Sequence, residues 1–195
     1  MLTGMHSGTP ERLQLGAGVF LKDFDFDGAT GAADLVARAE EAVRTGRGLL
    51  GATRGGGSFI CRPLLRSLEA DGVRTPFVGS TVIDGWDVRL TGTLLEITPE
   101  NFARALICAD VTATGGVTVV QAREALTEAD YLPRICWIGS TSRGAVLIEL
   151  TGVLNVKGAA FTFRDRGEGE LPFEFRAHAV EPGQDTAPFR IVFFS

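Results

Sequence analysis

The sequence predicts an α+β fold that is mainly antiparallel β-sheet, with one flanking α-helix near residues 98–108. Two observations carry this prediction. Many short segments alternate apolar and polar residues with the period of two that strands require. Glycine accounts for 25 of the 195 residues, nearly twice its usual share, which suits short strands joined by tight turns. Only one predicted helix has a full set of N-terminal capping residues, and we expect that helix to pack on a sheet.

The first elements follow from apolar spacing. Residues 1–12 are expected to form a flexible N-terminal arm, and residues 16–26 alternate like a strand. Apolar residues then recur along one stripe over 34–44, which predicts a helix. Gly46 follows this stripe and is a natural C-terminal stop. The predicted order of elements is therefore an N-terminal arm, a strand and a helix.

Turn signals dominate the next stretch. Residues 51–57 are rich in glycine and predict a flexible loop, and residues 58–68 predict a strand interrupted at Pro63. The dipeptides Asp71-Gly72 and Asp84-Gly85 are flanked by apolar runs, which is a strong hairpin signal. We therefore expect a turn at each dipeptide.

The flanking helix has a clear start. Thr98 is a hydroxyl N-cap, Pro99 stands at the first helical position, and Glu100 lies near the positive end of the helix dipole. This helix is expected to run to about Cys108. The remaining chain predicts a strand at 117–120, a short helix at 122–130, and strands at 135–138, 145–155, 158–164, 172–179 and 189–194.

Composition excludes several classes of function. The formal net charge of −5 argues against a dedicated DNA-gripping surface, which needs a basic stripe. The sequence has neither a signal peptide nor an apolar run long enough to span a bilayer, so we expect a soluble protein made in a cytoplasm. Cys61, Cys108 and Cys136 form no CxxC pair, so neither a disulfide framework nor a thiolate zinc site is predicted.

Two glycine-rich strings imitate nucleotide-binding motifs. Residues 46–51 match GxGxxG, but they follow the predicted helix rather than open it, so the wrong end of the helix dipole would meet a phosphate. Residues 51–58 imitate a phosphate-binding loop, but Gly57 stands where the lysine is required. Glycine-rich turns explain both strings, and no cofactor is predicted.

An acidic loop at residues 23–34 has the spacing of a calcium-binding loop. Its acids occupy positions 1, 3, 5 and 12, and Gly28 occupies position 6. Against calcium, the preceding segment alternates like a strand, and Thr30 stands where an apolar residue normally holds the loop. The weak candidate ligands are Asp23, Asp25, Asp27 and Asp34.

No set of catalytic groups is evident. GxSxG and HExxH motifs are absent from the sequence. His178 lies on the polar side of a predicted strand, where base catalysis would need partners within reach. The sequence therefore predicts a protein that is not an enzyme.

The order of the segments resembles the major tail tube proteins of long-tailed bacteriophages. Four stretches carry the resemblance, and they span about residues 15–194. They are the loop Leu50-Gly-Ala-Thr-Arg-Gly-Gly-Gly-Ser-Phe59, the turn Leu68-Glu-Ala-Asp-Gly72 with Gly79, the helix start Leu95-Glu-Ile-Thr-Pro-Glu-Asn-Phe102, and the C-terminal strands with Asp130-Tyr131-Leu132, Trp137-Ile-Gly139 and Leu171-Pro-Phe-Glu-Phe-Arg-Ala-His178. Type VI secretion tubes share this tube fold.

The resemblance implies a fold and a role. The fold would be two packed, barrel-like sheets with a flanking helix, in one domain over 1–195 that carries a loop and helix insertion at about 27–57. The role would be self-assembly into stacked hexameric rings around a tape-measure protein, in contact with tail-terminator and baseplate or tail-tip proteins. DNA would pass through this virion tail without specific binding, and an acidic inner wall would favour its sliding.

Two sets of residues are expected to serve such an assembly. Alternation on the long strands selects four candidates for the inner wall, and loop composition selects five for contacts between subunits. The wall candidates are Asp87, Arg89, Glu149 and Thr151. The contact candidates are Asp25, Asp27, Arg54, Gly55 and Gly56. A different class of function stays open, a calcium- or small-ligand-binding β module that uses the 23–34 loop.

Overall fold

A computed structural model of the protein describes residues 4–13, 16–69, 71–72, 74–183 and 185–195. Its two α-helices are α1, Ala32–Thr45, and α2, Pro99–Ala105, and short 3-10 turns lie at Pro10–Arg12 and Glu128–Asp130. The strands of these ranges are β1 Val19–Lys22, β2 Thr53–Ser67, β3 Thr81–Leu94, β4 Ala109–Thr114, β5 Val117–Ala122, β6 Leu132–Thr141, β7 Gly144–Asn155, β8 Leu171–Arg176 and β9 Phe189–Phe194.

Antiparallel pairing dominates, as the sequence predicts. Seven strands form one sheet in the order β1-β6-β7-β8-β3-β2, with β9 paired to β7, and β4 and β5 form a separate two-stranded ribbon. Each of the strand pairs is antiparallel. The prediction of an α+β fold that is mainly antiparallel β is confirmed.

The large sheet folds over into two facing layers, and β7 belongs to both. The first layer contains β1, β6, β9 and most of β7. The second contains β2, β3 and β8, and the last residues of β7 join it where Leu154 pairs with Arg176. Backbone bonds also join the chain just before β2 to β1, because Leu50 N–H donates to the Phe20 carbonyl at 3.2 Å. This contact closes the layers into a barrel-like shape.

Aromatic rings fill the space between the layers. The Phe20 and Phe173 ring centroids are 5.2 Å apart in an edge-on arrangement, and those of Phe59 and Phe189 are 5.8 Å apart. Each pair joins one strand of the first layer to one of the second. Burying a large apolar side chain stabilises the folded state by about 1.5–3 kcal/mol. Other buried members of this core are Val88, Leu90, Ile135, Leu150, Val153 and Phe175.

A second core lies on the outer side of the first layer, under α1. The buried face of the helix presents Leu35, Ala39 and Ala42, which pack with Cys136 and Leu147 of β6 and β7. The helix ends where the sequence predicts. Gly46 adopts φ +69 and its N–H donates to the Val43 carbonyl, a left-handed cap that glycine adopts without strain.

The helix α2 starts as predicted but ends early. The Thr98 hydroxyl accepts a hydrogen bond from Asn101 N–H at 3.1 Å. The last helical residue is Ala105 rather than Cys108, because Ile107 turns the chain with φ +72. The buried Asn101 side chain then donates to the backbone carbonyls of Leu50 and Glu96, which fixes the helix to the barrel.

The predicted turn at Asp84-Gly85 and the predicted interruption at Pro63 are both wrong. Asp71-Gly72 does lie in the connection between β2 and β3, but Asp84-Gly85 lies within β3. Leu64 pairs with Gly85 and Leu65 pairs with Ile83, so Asp84 is the extra residue of a β-bulge. Pairing also continues through Pro63, since β2 is an edge strand, where proline is tolerated.

Other local predictions also fail. The 51–57 segment is a loop only at its start, since β2 begins at Thr53 with a register shift before Gly57. The segment 122–130 contains a 3-10 turn at 128–130 instead of an α-helix, and 158–164 keeps one isolated bridge, from Thr162 to Glu170. The strand β4 was not predicted.

The N-terminal arm is described over residues 4–12, and its residues 1–3 lie outside the described part. Its Glu11 carbonyl accepts a hydrogen bond from the Ser142 hydroxyl at 3.1 Å, and the Glu11 carboxylate pairs with Arg143. The arm therefore contacts the turn between β6 and β7. Among the described residues, the helices are all too short or too polar to cross a membrane.

Candidate functional site

The outer surface of the second layer carries a row of charged side chains. Val88 and Leu90 of β3 point into the core, so their neighbours Asp87 and Arg89 point outward. Strand register places further charged residues beside them on this surface. Arg62 of β2 lies opposite Asp87, and Arg176 of β8 lies opposite Arg89. We call the surface formed by Arg62, Asp87, Arg89, Glu174 and Arg176 the charged face.

Ion pairs connect most of the charged face. Arg89 Nε is 3.0 Å from Asp87 Oδ1 and its Nη2 is 2.9 Å from Oδ2, while Nη1 bonds the Glu174 carboxylate. Arg176 Nε lies 3.2 Å from Asp87 Oδ1. Hydrogen bonds from Arg89 hold the pKa of Asp87 below its ordinary value. Both carboxylates of the face are therefore engaged by arginine side chains.

The charged face is not acidic, although an acidic inner wall was expected. Two carboxylates stand among three guanidinium groups, and Arg62 is exposed with no salt bridge among the described residues. Because the carboxylates are neutralised by their own neighbours, the face presents a compensated, slightly basic surface to solvent. An acidic wall is therefore not what these residues provide.

Glu149 and Thr151 lie on the opposite side of the molecule. Both point the same way as Leu147, which packs under α1 on the outer side of the first layer. Glu149 is only 1% exposed, and its carboxylate accepts a hydrogen bond from Arg190 Nε at 2.6 Å. The prediction that these two residues share a wall with Asp87 and Arg89 is wrong, since the two pairs lie on different layers and Glu149 is buried.

The four aspartates of the acidic loop do not come together as a ligand set. Asp34 accepts from Arg38 Nε at 3.0 Å and from Thr30 N–H at 3.0 Å, and the Arg38 bond keeps its pKa low. Asp25 accepts the backbone N–H of Asp27 within a local turn. Asp23, at the end of β1, has left-handed backbone with φ +52. Across the described residues, histidine, cysteine, aspartate and glutamate form no group of three suited to a metal ion.

The proposed contact residues near the start of β2 are partly engaged within the chain. Arg54 forms salt bridges to Glu168 at 2.5 Å and to Glu170 at 2.8 Å, so it holds the 168–170 segment against the start of β2. Gly55 and Gly56 both have positive φ. The space beside Gly55 is open, so this backbone is accessible to another molecule.

Sequence reasoning missed a cluster of exposed apolar residues at one end of the β2–β3 hairpin. Strand β8 pairs only with residues 89–94 of β3, so the far end of the β2–β3 hairpin extends beyond the second layer. Apolar residues there occur in pairs, at 64–65 and 82–83, rather than in strict alternation with polar residues. We call this end the distal hairpin. Its exposed apolar residues are Leu64, Leu65, Leu68, Phe77, Val78, Val82 and Ile83.

Other exposed apolar residues lie on strand pairs that end at an open edge. In β9, Phe193 is 77% exposed and Ile191 is 44% exposed. The β4–β5 ribbon contacts chiefly α2 and exposes Val117 and Val119. A strand edge without a neighbour is a template for pairing with another chain.

The chain matches no protein-family model and has no significant match among curated proteins.

Proposed function

We propose that this protein is a non-enzymatic structural subunit that assembles with copies of itself into stacked hexameric rings, forming a tail tube through which DNA passes. The observation that carries the proposal is the distal hairpin. It exposes seven large apolar side chains, four on the two strands and three in the connection between them, and no third strand of the described residues pairs beside them. Clusters of exposed apolar side chains on a protruding hairpin are typical of surfaces that bind another protein.

Open strand edges support assembly by sheet extension. The strand β2 ends the large sheet, and β9 pairs only with β7 among the described strands. Free edges of this length invite pairing with other chains, and closing a ring removes them. A ring of identical copies would therefore use β2 and β9 without leaving an edge to aggregate.

The charged face is the best candidate for the inner wall of the tube. The outer side of the first layer is occupied by α1, which packs on β7, whereas α2 packs on β4 and β5. The outer side of the second layer carries neither helix, and Arg62 there is exposed. Asp87 and Arg89 therefore remain wall candidates, and Glu149 and Thr151 leave the set.

A wall whose carboxylates and most of whose guanidinium groups pair with one another suits the passage of DNA. Lysine and arginine hold DNA by neutralising phosphates and releasing counterions. On the charged face, Arg89 already bonds both Asp87 and Glu174, so it has little capacity left for a phosphate. Such a wall would let DNA slide without specific binding.

Electron microscopy of the concentrated protein tests the proposal. We expect rings or filaments with a central hole, and we expect Leu65→Asp with Ile83→Asp to abolish them while the fold is retained. Leu126→Asp is the matched control, since Leu126 is also exposed but lies outside the distal hairpin. The proposal fails if the native protein stays monomeric even with tape-measure and tail-tip proteins, or if the hairpin variant assembles like the control.

A further inference from the structure

Three aspartates of the chain are each followed directly by glycine, at 27–28, 71–72 and 84–85. An aspartate in this position can change chemically without an enzyme, because the backbone nitrogen of the next residue can attack the side-chain carboxyl carbon and close a five-membered ring. Glycine favours the attack, since it has no Cβ beside that nitrogen. The attack also requires the backbone to leave its regular conformation, so hydrogen bonds that fix a dipeptide protect it. The structure separates the three dipeptides by this criterion.

The dipeptide at 84–85 is held within β3. Gly85 pairs with Leu64 of β2, and the Asp84 carboxylate accepts a hydrogen bond from Arg66 Nε at 2.9 Å. The ring can close here only after this part of the hairpin and the ion pair have opened. Because opening paired strands costs free energy, the dipeptide at 84–85 should react slowly.

The dipeptide at 27–28 lies in a hydrogen-bonded turn. Across the turn, Ala29 N–H donates to the Phe26 carbonyl at 3.0 Å. The Gly28 carbonyl also accepts a hydrogen bond from Arg38 Nη2 at 3.3 Å. These bonds fix the backbone on both sides of the reacting nitrogen, so this dipeptide is also restrained.

The dipeptide at 71–72 lies in the connection between β2 and β3 and has neither kind of restraint. Both of its residues are exposed, and they lie beyond the base of the connection, where Leu68 N–H donates to the Ser80 carbonyl at 2.7 Å. Within the described ranges, neither residue forms a hydrogen bond or an ion pair. Gly72 has φ +85 and open space beside its Cα. This dipeptide should therefore react first.

We propose that Asp71 is a modification site, at which the chain converts slowly to isoaspartate with water as the only reactant. In the first step a bond forms between the Gly72 nitrogen and Asp71 Cγ. The bond from Cγ to its hydroxyl breaks, and the hydroxyl leaves as water with the amide proton. In the second step water adds to the ring. Hydrolysis at Cγ restores aspartate, whereas hydrolysis at the Asp71 backbone carbonyl carbon leaves the main chain running through Cβ and Cγ, which is isoaspartate.

The modified chain gains one backbone carbon in the connection of the distal hairpin and keeps its charge. Strand pairing in the hairpin begins at Ser67 with Thr81, outside the altered residues. We therefore expect the barrel to be retained, so that modified and unmodified chains are present together in a folded sample.

Water labelled with heavy oxygen tests the site, because each ring that hydrolyses takes one oxygen atom from the solvent. Trypsin cuts after lysine and arginine, so the three dipeptides fall in separate peptides, 23–38, 67–74 and 75–89. The folded protein is incubated near neutral pH and then digested in ordinary water. Early in the reaction we expect 67–74 to carry about tenfold more label than 75–89, the ratio that a local opening free energy of about 1.4 kcal/mol produces. The peptide 67–74 should also separate into two chromatographic forms of equal mass.

Asp71→Glu is the test variant, because glutamate keeps the charge but would have to close a six-membered ring, which forms far more slowly. Asp84→Glu is the matched control. We expect the first to remove the label from 67–74 and the second to leave it unchanged, and we expect 67–74 and 75–89 to label at comparable rates in urea.

The inference is overturned if 67–74 gains no more label than 75–89 in the folded protein, if the ratio of the two is the same in urea, or if Asp71→Glu keeps the label. None of these results bears on ring assembly, which is measured separately by microscopy.

Discussion

The buried carboxylate of Glu149 offers a quantitative test of how β9 is held. Its side chain is 2% exposed and bonds Arg190 Nε at 2.6 Å, while Arg134 lies 3.6 Å away. Glu149→Gln keeps the shape and removes the charge. A hydrogen bond to a charged group contributes about 1.5–3 kcal/mol, so we expect a loss of about 2 kcal/mol in the free energy of unfolding. For a chain of this size that loss lowers Tm by about 4–8 °C.

Substitution of the basic partner of Glu149 should lower the free energy of unfolding by more. Arg190→Met leaves the Glu149 carboxylate buried with only the more distant Arg134, and breaking a buried pair in this way costs about 3–5 kcal/mol. The asymmetry follows from burial, since the Arg190 side chain is 54% exposed and can be solvated when its partner is lost. Arg190 also lies over the Phe26 ring at 4.9 Å, which adds to the loss.

Urea unfolding followed by circular dichroism measures both variants. The control is Glu41→Gln, which removes the exposed Arg44–Glu41 pair, and it should cost about 0.5 kcal/mol or less. The reasoning is refuted if Glu149→Gln costs no more than this control, or if Arg190→Met is the milder of the two variants at the buried pair.

Three further predictions follow from single features. Gly46→Ala should lower the free energy of unfolding by about 1–2 kcal/mol, because the left-handed backbone of this cap strains an alanine. The control Gly85→Ala, in β3, should change it by less than about 0.5 kcal/mol. Equal effects of the two substitutions in urea unfolding would contradict the role given to the cap. The pKa values of Asp34 and Asp130 lie below the ordinary 3.8. The stability that these ionised carboxylates contribute is therefore present above pH 3.8 and is lost as the pH falls through their folded-state pKa. Asp130→Asn should flatten the acid limb of the plot of stability against pH, and an unchanged limb would count against this reasoning. Calcium should leave Tm unchanged relative to EGTA, and a rise of several degrees would instead favour a calcium-binding module at the 23–34 loop.

Local signals in the sequence predicted the elements whose structure is decided locally. The stripe before Gly46 predicted α1 and its end. The strand predicted at 172–179 forms as β8, Leu171–Arg176, with Phe173 and Phe175 on its buried side. These features depend on neighbours a few residues apart, so the chain reveals them without its fold.

Features that depend on distant pairing were missed or misplaced. Asp84-Gly85 has the composition of a turn, but pairing with β2 keeps this dipeptide within β3, where it forms a bulge. Glu149 alternates like a surface residue, yet it is buried and bonds Arg190, 41 residues later in the chain. The distal hairpin was missed for the same reason, since its exposure depends on where β8 stops pairing with β3.

The shared strand β7 has a consequence for how the molecule opens. It pairs with β6 and β9 over most of its length and with β8 at its end, so neither layer can separate from the other while it stays in place. Its backbone amides should consequently be the last to exchange with deuterium, and they should report global unfolding while the distal hairpin exchanges by local fluctuation. The outer strands are thus expected to rearrange locally while β7 stays paired.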